Sequence, residues 1–191
     1  KYTNEMFNIY RTLDEKDIFQ KDKFIEHVDF LNAIAIGLDL NKLGWVDYFF
    51  NKYKNKIESR LRYDAQNLAK AQIYFHKKEY AKALKDLNQV APKIFYFYLR
   101  IKVMYVKIYY EMNEIEAVLY VIDSLKHYLK RNKNKISGHY EVVSKFLYYI
   151  GKIISIKNLK TNKDINSLKK EIEKNHDVAA KFWLIEKLEE L

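Results

Sequence analysis

Trp45, Tyr80 and Ile115 stand about 35 residues apart, and each follows a polar turn and opens an amphipathic run. The runs are Leu43-Gly44-Trp45-Val46-Asp47-Tyr48, Lys78-Glu79-Tyr80-Ala81-Lys82-Ala83-Leu84 and Asn113-Glu114-Ile115-Glu116-Ala117-Val118-Leu119. Self-similarity at such a period marks stacked helical hairpins, because one hairpin cannot bury its apolar face alone. Four Gly and one Pro in 191 residues leave few breakers of regular structure. An all-α chain, more than about 70% helical and without a sheet, is therefore expected. Tyr, Ile and Asn are middling helix formers, so tertiary packing has to hold the helices.

Periodicity places the elements. Met6, Ile9, Tyr10 and Leu13 form the stripe of a first helix over 3–13, followed by a polar loop at Asp14-Glu15-Lys16-Asp17. Phe24, Val28, Leu31, Ala35 and Leu38 mark a helix over 21–38, and Asn41 is placed to cap a helix running to Ile57. Leu61, Leu68, Ala71 and Phe75 mark one helix of the next unit; Tyr80, Ala83, Leu84, Leu87 and Val90 mark its second, stopped by Pro92. A helix over 93–112 follows. Asn113 and Glu116 then have capping-box spacing before the stripe Val118, Ile122, Leu125, Leu129. Arg131 to Lys135 reads as a basic loop. Ser137 is placed to cap a helix to about Lys157 with Val142, Phe146, Tyr149, Ile150 and Ile153 inward, and Asn158 to Lys163 is a polar break. Two tail helices, over 164–174 and 178–190, complete the reading. No linker is long or Pro-rich, so 1–191 reads as a single domain.

The unit Ala71…Tyr74…Lys78-Glu79-Tyr80-Ala81-Lys82-Ala83-Leu84…Leu87…Val90 resembles a tetratricopeptide (TPR) repeat. Ala71 and Ala83 match the small residues where the two helices cross, Tyr74 and Tyr80 the aromatics, and Leu87 the large residue one turn on. The sequence departs from the pattern at Asn67 and Lys70, where the signature Trp and Leu would stand, and at Lys78, the usual turn Gly. Flanking units carry Trp45 and Tyr48 in phase with Ile36 at the small position, and Val106 and Val118 at the small positions. The resemblance spans roughly residues 24–131. It implies a TPR-like α-solenoid, a right-handed superhelical stack of antiparallel helix pairs with about nine or ten helices. It also implies binding of a peptide or partner domain in a concave groove walled by the first helices of the pairs, around 24–38, 60–76 and 93–112. The candidate groove residues are Lys70, Tyr74, Lys77, Arg100, Lys102 and Tyr105. The last helix, 177–190, is expected to cap the stack through Val178, Phe182, Ile185 and Leu188, with Lys181, Glu186, Lys187, Glu189 and Glu190 on its outer side.

The net charge is +10, carried by the middle of the chain: residues 1–40 are acidic overall, whereas 41–135 are strongly basic. Tyr96, Tyr98, Tyr105, Tyr109 and Tyr110 share the 93–112 helix with Phe95 and Phe97, a run too continuous to face one side. Tyrosine interleaved with Lys suits peptide binding, and it suits sequence-tolerant nucleic-acid binding by stacking and phosphate contact. Only five of the 35 basic residues are Arg, the preferred residue for bidentate phosphate recognition.

Catalytic patterns are not visible. The five His residues have no zinc-site spacing, His27-Val28-Asp29 is an isolated pair, and Glu173 and His176 stand alone at Glu-x-x-His spacing. No Gly-rich phosphate loop or nucleophile elbow occurs. The reading is therefore a protein-interaction module, not an enzyme, with no metal or cofactor. Nucleic-acid binding by 41–135 is the alternative, and a non-binding scaffold is the third reading. There is no Cys and no apolar run long enough to span a bilayer, so a cytoplasmic location is expected. A chain opening on Lys1 reads as part of a longer protein.

Overall fold

The computed structural model describes residues 2–21, 24–92, 94–135, 137–159 and 165–191, with the side chains of 20, 21 and 137 left out. It is all-helical, 81% helix with no strand among the described residues. The helices are α1 (Tyr2–Glu15), α2 (Ile18–Lys21), α3 (His27–Asp39), α4 (Leu43–Tyr53), α5 (Ser59–His76), α6 (Tyr80–Leu87), α7 (Phe95–Glu111), α8 (Ile115–Asn132), α9 (Ser137–Leu159), α10 (Ile165–Lys174) and α11 (Lys181–Glu189). Two compact units meet within α7: one ends at Phe97, the other begins at Tyr98. No described helix is long and apolar enough to cross a membrane.

One turn recurs three times. Asn41, Lys78 and Asn113 have φ of 53°, 59° and 59°, the left-handed region. After α5, the Lys78 N–H donates to the Phe75 carbonyl and the Glu79 N–H to the Tyr74 carbonyl. Asn41 and Lys42 repeat this pattern on Leu38 and Gly37, and Asn113 and Glu114 on Tyr110 and Tyr109. This is the Schellman arrangement, which satisfies carbonyls that the helix end would otherwise leave open. The residue after the left-handed one starts the next helix: the carbonyls of Lys42, Glu79 and Glu114 accept from the N–H groups of Val46, Ala83 and Val118. The three donors, Val46, Ala83 and Val118, are buried.

The turns correct the expected caps. Asn41 and Asn113 are left-handed turn residues; Lys42 and Glu114 are the N-caps, and neither makes a side-chain cap bond. Asn tolerates positive φ, so backbone geometry claims it ahead of capping. The turns also shift the phase of the first unit. Leu43, not Trp45, is the counterpart of Tyr80, and Trp45 corresponds to Lys82. Ile34, not Ile36, is then the counterpart of Ala71, and Gly37 that of Tyr74; a Cβ at Gly37 would lie 2.6 Å from Val46 Cγ2 and 3.3 Å from Trp45 Cε3. The Ser137 side chain and residues 160–163 of the polar break lie outside the described residues.

In the first unit α3 packs on α1, α4 and α5, and α5 packs on α6. Its core is aromatic. Phe49 stacks on Trp45 at 4.7 Å and on Phe30 at 6.3 Å, and Tyr53 lies 4.6 Å from Phe49. Ala71 and Ala83 are both fully buried. The expected loop at Asp14–Asp17 is half helix, since α1 continues to Glu15 and only Lys16 and Asp17 form the turn before α2. Asp14 is buried and accepts from Tyr53 Oη at 2.7 Å and Lys52 Nζ at 2.8 Å. Those bonds tie α1 to α4, while Ile9 of the expected stripe faces outward. The expected single helix over 21–38 is broken: Ile25 forms a bridge to Ile57, its N–H donating to the Lys56 carbonyl at 2.9 Å.

In the second unit α9 packs on α8 and α11, and α10 on α11. Phe146, Ile150 and Ile153 are fully buried along α9, as their spacing predicts. The basic segment from Arg131 is helical, through α8 and a 3₁₀ turn at Lys133–Lys135. The last helix is rotated from its expected orientation. Trp183, Leu184, Lys187 and Leu188 are buried, whereas Phe182 is 56% exposed. Lys187, expected outside, is 3% exposed because Glu111, Glu186 and Glu190 receive its ammonium at 3.0, 3.1 and 2.5 Å.

Candidate functional site

On α7, Tyr98, Lys102, Tyr105 and Tyr109 recur at the four- and three-residue steps that place side chains on one helix face. All four are half-buried. The Lys102 ammonium lies 5.5 Å from the Tyr98 ring centroid and 6.0 Å from that of Tyr105. Tyr105 stacks on Tyr109 at 5.8 Å with an interplanar angle of 14°. From α8, the Tyr128 ring meets Tyr98 at 4.0 Å. These rings are close enough for mutual attraction, and the ammonium between two of them gains cation–π stabilisation. Burial and the neighbouring Tyr109 push the Tyr105 hydroxyl above its ordinary range, and burial and Tyr98 do the same for Tyr128. Both therefore stay neutral donors at physiological pH.

Of the expected groove residues, Lys102 and Tyr105 belong to this stripe. Arg100 stands two residues from both Tyr98 and Lys102, which turns it to another side of the helix. Lys70 and Tyr74 lie in the first unit one turn apart on α5, and Lys77 is the residue that caps its C-terminal end. Lys70 and Tyr74 are half-buried and Lys77 is exposed. Lys82 of α6 places its ammonium 5.5 Å from the Tyr74 centroid and is itself paired with Glu79. Counted back from their left-handed turn residues, Tyr63, Lys70 and Tyr74 of α5 hold the same positions as Tyr98, Tyr105 and Tyr109 of α7. Tyr98, Tyr109 and Tyr128 were not among the expected groove residues. The i, i+4, i+7, i+11 spacing of the stripe was the available signal for the first two; Tyr128 joins through tertiary contact.

The isolated His27–Asp29 pair has structural neighbours. The His27 ring lies edge-on to Tyr96 and Phe97, at 5.8 and 5.2 Å. Asp29 accepts from Tyr10 Oη at 3.4 Å. Trp183 Nε1 donates to Glu111 Oε1 at 2.6 Å, so this Trp anchors α11 to the end of α7. These contacts join α3 to α1 and to the start of α7, and α11 to the end of α7.

No family model, curated protein or solved structure matches the chain.

Proposed function

We propose that this chain is a TPR-like protein-interaction module and not an enzyme, its turn-linked helices forming antiparallel hairpins that stack on their neighbours. The Tyr98–Lys102–Tyr105–Tyr109 stripe is the partner-facing surface of the second unit. The observation that carries the reading is that stripe: four half-buried side chains on one helix face, three of them tyrosines held in order by ring contacts and one lysine lying between rings. Tyrosine supplies large contact area with a hydroxyl handle and little rotamer entropy to lose. Lys102 has no carboxylate partner among the described residues, so it is available to an acidic group on the ligand. The partner chemistry is therefore an extended segment carrying an acidic residue flanked by apolar or aromatic ones.

A peptide-display selection on the full chain tests the reading. Enriched sequences should combine Asp or Glu with aromatic residues, and the enrichment should vanish for Lys102→Glu combined with Tyr105→Ala. Enrichment that survives that double variant places the binding surface elsewhere. Failure to enrich any sequence removes the support for a peptide-binding module.

A further inference from the structure

A second surface, independent of the α7 stripe, lies between α8 and α9. Lys126, Lys130 and Lys133 line one side of this cleft at helical spacing, a row about 10 Å long at ~1.5 Å per residue. Tyr140, Ser144 and Tyr148 face them from α9, again one turn apart. The floor is Leu129 and Leu147, both nearly fully buried. The Lys133 ammonium lies 5.3 Å from the Tyr140 centroid, and the Lys152 ammonium 5.6 Å from that of Tyr148. Tyr148 is 52% exposed.

The charge balance of the cleft is one-sided. No carboxylate lines it. The nearest acids on the two helices are Asp123, which faces His127 at 3.6 Å, and Glu141, which is exposed. Lys52 and Lys187, by contrast, are held by carboxylates. Lys126, Lys130, Lys133 and Lys152 have no carboxylate partner among the described residues. A row of unpaired ammonium groups opposite flat aromatic faces calls for a ligand with a repeating anion and a stackable ring.

We propose that the α8–α9 cleft binds single-stranded nucleic acid, with Lys126, Lys130 and Lys133 on backbone phosphates and Tyr148 and Tyr140 stacking on bases. Lys acts as a point charge toward phosphate and needs no bidentate geometry, so the scarcity of Arg is no obstacle. Stacking needs bases free of a duplex, and the stacking surface tolerates any base. A segment with one acidic residue, the ligand proposed for the single lysine of the α7 stripe, would meet one ammonium of this row and leave the others without an anion.

Fluorescence anisotropy of labelled oligo(dT) and oligo(U) with the full chain tests this. Binding should appear at about 50 mM salt and fall roughly 15-fold by about 200 mM, the loss expected for three phosphate contacts on a single strand. The triple change Lys126→Glu, Lys130→Glu, Lys133→Glu should abolish binding, and Tyr148→Ala should weaken it on the order of tenfold. A charge-matched control, Lys42→Glu, Lys85→Glu, Lys174→Glu at exposed sites, should bind nearly as the parent does, with unchanged helical circular dichroism in all variants. Absence of binding at the lower salt overturns the proposal, as does equal loss in the control or indifference to Tyr148→Ala. Polyglutamate or polyphosphate competing as well as unlabelled oligonucleotide would assign the cleft to charge alone and equally reject it.

Discussion

Glu111 and Lys187 offer a perturbation whose two halves have unequal outcomes. Lys187 is 3% exposed, and Glu111 receives both its ammonium, at 3.0 Å, and the Trp183 Nε1–H, at 2.6 Å. Removing one member of a buried ion pair strands the other charge, at about 3–5 kcal/mol. In Glu111→Ala, Glu186 and Glu190 remain near the ammonium, but both side chains are more than half exposed and hold it less well. The indole N–H also loses its acceptor, a further ~1–3 kcal/mol that overlaps the first because one carboxylate serves both. The expected cost of Glu111→Ala is therefore about 3 kcal/mol. Lys187→Met removes the buried charge and keeps the chain length, and Glu111 retains the Trp183 bond. Glu111 then loses its cation, but at 15% exposure water reaches it better than it reaches Lys187, so the expected cost is smaller, about 1–2 kcal/mol. Urea unfolding followed by Trp fluorescence and circular dichroism measures both. The loss in Glu111→Ala corresponds to roughly 6–12 °C in Tm. Equal destabilisation by the two variants, or an unchanged Glu111→Ala protein, would refute the assignment of Glu111 as the group that holds α11 in place.

Gly37→Ala should lower stability by about 1–3 kcal/mol, because its Cβ would fall 2.6 Å from Val46 Cγ2; a thermal melt checks this. Lys78→Gly should raise stability by roughly 1 kcal/mol, since glycine relieves a φ of 59° at no steric cost, and the same melt should move upward. Burial and the Glu171 hydrogen bond push the Tyr149 hydroxyl up to about 12. The unfolded chain gives up that proton near pH ~10, so stability should fall as the pH rises from about 10 to about 12. Tyr149→Phe should make the loss over this window shallower in pH-dependent urea titrations.

The echo made the turn-linked helices legible because apolar spacing survives even where the repeat signature does not, but it misplaced the first unit, whose turn residue Asn41 stands 37 residues before Lys78 against 35 from Lys78 to Asn113. Ala71 and Ala83 were readable as buried from size and spacing alone. The turns were legible in place but not in mechanism: Asn41 and Asn113 look like caps, and only backbone geometry distinguishes a left-handed turn residue from an N-cap. Asp14 and Lys187 were misread as surface charges. Their partners, Tyr53 and Glu111, lie far along the chain, and a pattern local to one helix cannot show them. The same blindness put Phe182 inside and Lys187 outside, since a rotation of α11 exchanges the two faces. On α7, Lys102 and Tyr105 were readable as candidates, but the ordered row of rings follows from tertiary contacts such as that of Tyr128.

The most direct test of the interaction reading is amide chemical-shift mapping of the full chain titrated with a peptide from the display selection. The largest shifts should fall on α7 around Tyr98, Lys102, Tyr105 and Tyr109, with α10 and the α8–α9 cleft undisturbed. Shifts confined to other helices, with the α7 stripe silent at saturation, would contradict it.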